Sequence, residues 1–293
     1  MKVGYACLYG LANAGKSTLL NAILGLKIEA VSPKPQTTRY NVQGIYTDSD
    51  SQIIFIDTPG LHRPHGRLGS ILLQEAEDAR SNVDVLVYVV DGSYRRIDTE
   101  TASKISKMNI PVIVVFNKID KISLEEGMER LSEYSKILPN AEFIQMSALK
   151  KFGVDELLNA IKKHLEEGDL LYPEDQLIDR PTRFVWAEMI REKCMINTEK
   201  EIPHAVHVEI THVEDNPDLG KKVIFADIIV EKSSEKAIII GRNGQKLSLI
   251  RKHAEHSISN FMQEKVALEL YVKVVPDWRN NPAKLQEYGY KDR

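Results

Sequence analysis

The chain reads as an α/β architecture, a mostly parallel sheet with helices on both faces, followed by a smaller α+β unit. Three observations lead there. Apolar runs alternate with helix-period stretches from Val3 to about Leu165, the rhythm of a parallel sheet covered by helices. A glycine-rich turn, Gly10-Leu11-Ala12-Asn13-Ala14-Gly15-Lys16-Ser17, separates the first run from the first helix. Between Glu166 and Asp175 acids, Gly and Pro break the rhythm, and the order changes to helix, two strands, two helices and a strand.

Each element follows from local pattern. Strands are predicted at 3–9, 42–48, 52–57, 84–91, 111–117 and 142–146, short apolar runs of the kind buried parallel strands require. Helices fill the intervals at 16–25, 68–80, 97–108, 123–137 and 154–166. Residues 169–180 form the predicted linker, giving a first domain at 1–168 and a second at 181–293. In the second, Pro181 opens a helix that carries Phe184 to Arg191, and Val206–Thr211 and Val223–Val230 are strands of a small sheet. Ser233–Ile240 reads as a helix stopped by Gly241-Arg242-Asn243-Gly244. A long helix then runs to about Gln263, and Val266–Val274 closes the sheet.

Composition narrows the class. With 293 residues, 43% of them hydrophobic, the chain can bury two ordinary cores. The net charge of −3 conceals an asymmetry: residues 1–179 hold 20 Lys+Arg against 25 Asp+Glu, whereas 180–293 hold 19 against 17. Neither balance forces a nucleic-acid partner, so local patterning has to argue for one. Cys7 lies in the first apolar run and Cys194 in a helical pattern, with no CxxC or His-Cys spacing for a metal. Both are expected to be core residues of a protein in a reducing compartment. No apolar run is long enough to span a bilayer, and Met1-Lys2 leads straight into a strand, so a soluble intracellular protein is expected.

The glycine-rich turn fits G-x-x-x-x-G-K-[ST], whose backbone N–H groups wrap phosphate oxygens at a helix N-terminus. Lys16 is expected at the β/γ phosphates and the Ser17 hydroxyl on Mg²⁺. Asn117-Lys118-Ile119-Asp120 ends an apolar strand, where open α/β sheets bind ligands. The Asp120 carboxylate can only accept, and guanine offers two donors, N1–H and the 2-amino group, on one edge. Adenine lacks that pair, so the site selects GTP. Ser147-Ala148-Leu149-Lys150 supplies a second base-side loop.

Ile53–Ile56 runs into Asp57-Thr58-Pro59-Gly60, where Asp57 is expected to hold Mg²⁺ through water and Gly60 to offer its N–H to the γ-phosphate. Ser32-Pro33-Lys34-Pro35-Gln36-Thr37-Thr38-Arg39 suits a loop that orders around a γ-phosphate and Mg²⁺, with Thr38 completing the metal shell. The predicted nucleotide site therefore comprises Gly10, Asn13, Ala14, Gly15, Lys16, Ser17, Thr18, Asp57, Thr58, Pro59, Gly60, Asn117, Lys118, Asp120, Ser147 and Ala148. Lys16, Thr38 and Gly60 are the catalytic candidates.

In the second unit, Ile239-Ile240-Gly241-Arg242-Asn243-Gly244 fits the GXXG loop of KH domains, which clamps about four single-stranded nucleotides. A tight helix–helix corner uses the same glycines. Between Lys236 and Ala254 stand Lys236, Arg242, Lys246, Arg251 and Lys252 and no acid, which favours an RNA groove. The candidate RNA contacts are Lys236, Ile240, Gly241, Arg242, Asn243, Gly244, Lys246 and Arg251. A module that docks a protein partner is the alternative, and no second catalytic constellation supports a metabolic enzyme using GTP as co-substrate.

Several segments in this order resemble the Era GTPases over nearly the whole chain. They are Ser32 to Arg39, Asp57 to His62, Arg191-Glu192-Lys193 before Glu201-Ile202-Pro203, the GXXG loop, and the ending Trp278…Gly289-Tyr290. The resemblance implies an α/β P-loop GTPase domain followed by a type II KH domain. It further implies binding to 16S rRNA near its 3′ end and a role in assembly of the small (30S) ribosomal subunit. It also implies a cytoplasmic monomer with peripheral association at the inner membrane, and K⁺ bound by Asn13 in place of a missing arginine. Leu11-Ala12 and Ala14 stand where Arg-Pro and Val are usual in that family, and Arg242-Asn243 where Lys-Gly is common. Leu61 occupies the position at which many signalling GTPases carry the Gln that orients the attacking water, and it cannot hydrogen-bond. His62 beside it reads as a surface residue, and no arginine finger is identifiable. Slow hydrolysis by positioning and charge stabilisation is therefore expected.

Overall fold

The computed structural model describes residues 1–28, 30, 38–61, 66–80, 83–199, 202–216 and 220–290, and of His204 the backbone alone. Ser32 to Thr37, His62 and Glu201 of the motifs above lie outside the described residues. The chain divides into two compact units. The first comprises the described residues of Met1–Gly25, Thr38–Arg63 and Leu72–Asp179. The second comprises those of Leu26–Thr37, Pro64–Ile71 and Arg180–Arg293.

In the first unit β1 (Lys2–Tyr9), β2 (Val42–Thr47), β3 (Ser51–Asp57), β4 (Val85–Asp91), β5 (Val112–Asn117) and β6 (Glu142–Gln145) stand in the order β2-β3-β1-β4-β5-β6. Neighbours are parallel except β2 and β3, which form an antiparallel pair. Helices α1 (Lys16–Leu24), α2 (Gly66–Ala79, which counts with this unit from Leu72 on), α3 (Thr99–Ile105), α4 (Leu124–Ile137) and α5 (Val154–Lys162) intervene along the chain. Strand alternation splits the core in two. Leu8, Phe55, Val87 and Val115 pack against Leu19 and Leu20 of α1 and Leu157 and Ile161 of α5. Cys7, Tyr9, Tyr88 and Phe116 pack on the other face against Ala102 and Ile105 of α3 and Tyr134 of α4. Each fully buried aliphatic side chain contributes about 1.5–3 kcal/mol relative to exposure. Cys7 and Cys194 are both fully buried, and burial pushes each thiol up to about 12.

Capping sets the helix starts. The Asp98 side chain accepts from Thr101 N at 3.1 Å, and Ser123 and Glu126 form a reciprocal capping box at α4. The helix expected over 97–108 is accordingly shorter, Thr99–Ile105.

Two expectations need correction. The helix predicted at 154–166 stops at Lys162, and Glu166–Glu167 form a short strand, β7, antiparallel to Lys2 and Val3. Strand β4 pairs with β1 only from Ala6 onward, so the N-terminal end of β1 has backbone groups free for β7 to take. The segment expected as a linker, 169–180, is a covering strip through Asp179 rather than a free tether. Leu171 N and Tyr172 N donate to Gln52 Oε1 at 2.8 and 3.0 Å, Ile45 N donates to Leu177 O at 2.9 Å, and Asp179 N donates to Gln43 O at 3.0 Å. Strand β2 is an edge of the sheet, and the strip satisfies backbone groups that an edge leaves open.

The second unit contains α6 (Thr182–Asn197), α7 (Ile202–Ala205), β8 (His207–Asn216), β9 (Lys221–Val230), α8 (Ser233–Ile240), α9 (Gln245–Met262), β10 (Val266–Val274) and α10 (Pro282–Glu287). Its sheet runs β10-β9-β8, with β10 parallel and β8 antiparallel to the central strand. Helices α7 and α10 go beyond the predicted order. Helix α10 starts where Asn281 caps Ala283 N at 3.0 Å ahead of Pro282. The buried Trp278 donates from Nε1 to Ala205 O at 3.0 Å, and His207 stacks on Tyr288 with ring centroids 4.3 Å apart.

Candidate nucleotide and RNA sites

Strand order places the first candidate site. The chain leaves β1 for one side of the sheet and β4 for the other, and ligands of open α/β sheets sit outside the strand ends at such a reversal. The turn Gly10–Ser17 lies there, between β1 and α1. Gly15 adopts φ 101°, and a Cβ on it would lie 2.2 Å from Asn117 Nδ2, so only glycine fits. The Lys16 ammonium is buried and donates to Gly10 O and Leu11 O at 3.0 and 3.1 Å. Burial pulls it down to about 8, opposed by the charge of Asp57.

Three oxygen-bearing side chains meet beside it. Ser17 Oγ lies 2.6 Å from Thr38 Oγ1 and donates to Asp57 Oδ2 at 2.7 Å. Asp57 is fully buried, and burial pushes its carboxyl up to about 6 against Lys16 and the Ser17 and Thr38 hydroxyls. Its second oxygen, Oδ1, has no hydrogen-bond partner among the described residues. A buried carboxylate oxygen left over beside two hydroxyls is a set of hard donors, few in number, that suits Mg²⁺. Gly60 and Leu61 close on the phosphate loop: Leu61 N donates to Gly10 O at 3.1 Å, and Ala12 N donates to Leu61 O at 3.2 Å. The Leu61 side chain packs on the second core cluster. Thr58 Oγ1 donates to Leu8 O at 2.8 Å, which ties this turn to β1.

The other half of the site gathers on β5 and β6. Asn117 is buried and knits three segments, donating to Ala14 O at 2.9 Å and accepting from Lys118 N and Ala148 N, each at 2.9 Å. Ser147 Oγ donates to Asp120 Oδ1 at 2.6 Å, which aims the carboxylate and leaves its other oxygen for a ligand. A cleft is lined by Gly15, Thr18, Asn117, Lys118, Asp120, Lys121, Ser147 and Leu149. Such an arrangement can receive a planar base with two adjacent donors on one edge. The structure brings together the predicted residues of the loop, of Asp57–Gly60 and of both base-side segments. Sequence reasoning missed Lys121 as part of the wall; its place one residue after Asp120 is the signal that could have found it.

In the second unit α8 ends at Gly241 (φ 71°), a 3₁₀ turn spans Arg242–Gly244, and α9 begins at Gln245. A Cβ on Gly241 would lie 2.7 Å from Lys246 Cβ, so the helix junction requires glycine there. Asn243 adopts φ 51°, a conformation Asn tolerates through its short polar side chain. Arg242, Asn243, Arg251 and Lys252 are exposed, while Lys236, Ile240 and Lys246 are half-buried. Lys236, Arg242, Lys246 and Arg251 have no side-chain partner among the described residues. Solvated cations flanking a helix N-terminus can meet a phosphate backbone.

Comparison with known proteins agrees with both halves. A family described as 50S ribosome-binding GTPase matches residues 5–118, and the KH domain family matches residues 201–279. The GTPase Era of Clostridium botulinum (strain Kyoto / Type A2) is 41% identical over 292 residues, covering 99% of this chain and 98% of the relative. A crystal structure of an Aquifex aeolicus Era variant bound to GDP.AlF4- superposes with a TM-score of 0.94 at 40% identity, covering 99% of each chain. A structure of Era in complex with MgGDPNP and nucleotides 1506–1542 of 16S ribosomal RNA gives the same TM-score, 0.94, identity, 40%, and coverage, 99% of each chain. Among the described residues no helix is long and apolar enough to cross a membrane. With the phosphate loop, the guanine-type cleft and the GXXG unit in one chain, and this likeness running from end to end, the protein belongs to the Era family of GTPases.

Proposed function

We propose that this GTPase is a GTP-controlled RNA-binding switch. In this reading the first unit hydrolyses GTP slowly, and the second, a KH domain, holds 16S rRNA near its 3′ end and assists assembly of the small ribosomal subunit. The proposed setting is the cytoplasm, with the protein as a monomer that also associates peripherally with the inner membrane. The observation that carries the RNA reading is the exposed Arg242-Asn243 pair at a glycine-flanked helix junction, amid cations with no side-chain partner among the described residues. The relative solved with 16S rRNA nucleotides supports it. A filter-binding salt titration against a 16S 3′-terminal RNA tests it. Log affinity should fall with log salt by roughly 0.7 per phosphate contacted, whereas a flat titration favours a module that docks a protein.

The chain's own residues divide the hydrolytic work. Loop N–H groups and Lys16 hold the phosphates, the Gly60 N–H faces the γ-phosphate, and Asp120 with Asn117 and Ser147 fixes the base. Ser17, Thr38 and Asp57 would hold Mg²⁺, which when bound would supply positive charge to the nucleotide phosphates. Leu61 contributes packing and no hydrogen bond. Leu61→Ala should therefore change the GTPase rate little, while Lys16→Ala should lower it roughly a hundredfold or more. With K⁺ bound through Asn13, replacing K⁺ by Na⁺ should slow turnover, and Asn13→Ala should erase that difference. Equal wild-type rates in the two salts would remove K⁺ from the mechanism.

A further inference from the structure

Asp91 belongs to none of the sequence motifs, yet the register of β4 and β5 sets it directly opposite Asn117. Both of its oxygens are engaged. Oδ1 accepts from Ser93 N at 2.9 Å and from Ser93 Oγ at 2.6 Å, and Oδ2 accepts from Lys118 Nζ at 2.6 Å. The same ammonium donates to Asn13 O in the phosphate loop at 2.5 Å. Lys118 also lines the cleft beside Gly15, Thr18 and Asp120.

The surroundings of Asp91 are held from the main chain as well. Gly92 N donates to Asn117 O at 2.7 Å, and the buried Arg130 donates to Gly92 O. Burial pushes the Asp91 carboxyl up, but the hydrogen bonds from Lys118 and Ser93 outweigh it, and the group stands below its ordinary value. It is thus a carboxylate anchored on one side and charged on the other. A lysine stem has four rotatable bonds and its orientation must otherwise be restrained by the ligand itself.

We infer that Asp91 is a positioning residue of the guanine site, which clamps the Lys118 ammonium onto the phosphate loop and so shapes the cleft before nucleotide arrives. The inference rests on the reading of Asn117–Asp120 as the base site. A carboxylate that only stabilised the turn at Ser93 would act independently of Lys118, and this separates the two roles.

The test is a double-mutant cycle on the full chain, with affinity and dissociation rate of fluorescently labelled GDP as readout. Asp91→Ala and Lys118→Ala should each weaken binding roughly ten- to a hundredfold, as expected for loss of a hydrogen bond to a charged group. The double variant should bind no more weakly than Lys118→Ala, because the carboxylate acts through that lysine. Asp91→Asn keeps an acceptor for Ser93 without the charge, and should lose most of the same affinity while retaining the wild-type thermal midpoint. Losses that multiply in the double variant, or wild-type affinity in Asp91→Asn, would overturn the positioning role. Wild-type affinity in Lys118→Ala would instead sink the base-site reading beneath it.

Discussion

Asp120→Asn is expected to exchange guanine for xanthine selectivity. The Ser147 hydroxyl occupies one carboxylate oxygen at 2.6 Å, so the geometry presented to the base is set before binding. An amide in place of the carboxylate substitutes a donor for one acceptor, and it then opposes guanine's N1–H or 2-amino group while matching the 2-carbonyl of xanthine. One hydrogen bond becomes a donor–donor clash and the charge that strengthens the other is gone, so GTP affinity should fall by roughly two to four orders of magnitude. Xanthosine triphosphate should gain correspondingly. Calorimetric titration of both nucleotides checks this, and undiminished GTP binding would mean that Asp120 is not at the base.

The second large effect is expected at the other end of the chain. Arg242→Asp combined with Asn243→Asp places two acids where the proposed RNA backbone passes. Both positions are exposed, and Asp tolerates the φ of 51° held by Asn243, so the unit should fold as before. RNA affinity should drop roughly tenfold or more at low salt and less at high salt, since screening removes the repulsion along with the attraction. GTP binding and basal hydrolysis should stay near wild type, and any stimulation of hydrolysis by rRNA should vanish. RNA affinity unaltered in this variant would move the RNA contact away from the loop and favour protein docking.

The parts of this molecule that were legible in its sequence are those whose chemistry is local. A phosphate loop needs glycines at fixed offsets, because Gly15 has no room for a Cβ against Asn117, and that requirement is written in eight consecutive residues. Asn117–Asp120 and Ser147–Ala148 were visible for the same reason, as were Gly241–Gly244 and the apolar strands. What escaped depends on which strand lies beside which. Asp91 meets Lys118 only because β4 and β5 are neighbours in register, and nothing around residue 91 announces it. The strip through Asp179 reads as a linker because its acids, Gly and Pro look like one, while its pairing with Gln43 and Gln52 is long-range. Helix α10 follows from an Asn-Pro start that is readable. Its stability, however, comes from the cluster of Trp278, Tyr288 and His207, gathered from distant parts of the chain.

In the proposed switch, nucleotide state controls RNA binding. The most direct measurement is photo-crosslinking of the full chain to 16S rRNA with MgGDPNP or with GDP bound, mapped to the nucleotide. Crosslinks are expected from the Gly241–Gly244 loop at the 3′ end of the rRNA, in higher yield with MgGDPNP. Equal yields in the two states, or crosslinks scattered without preference for that end, would contradict it.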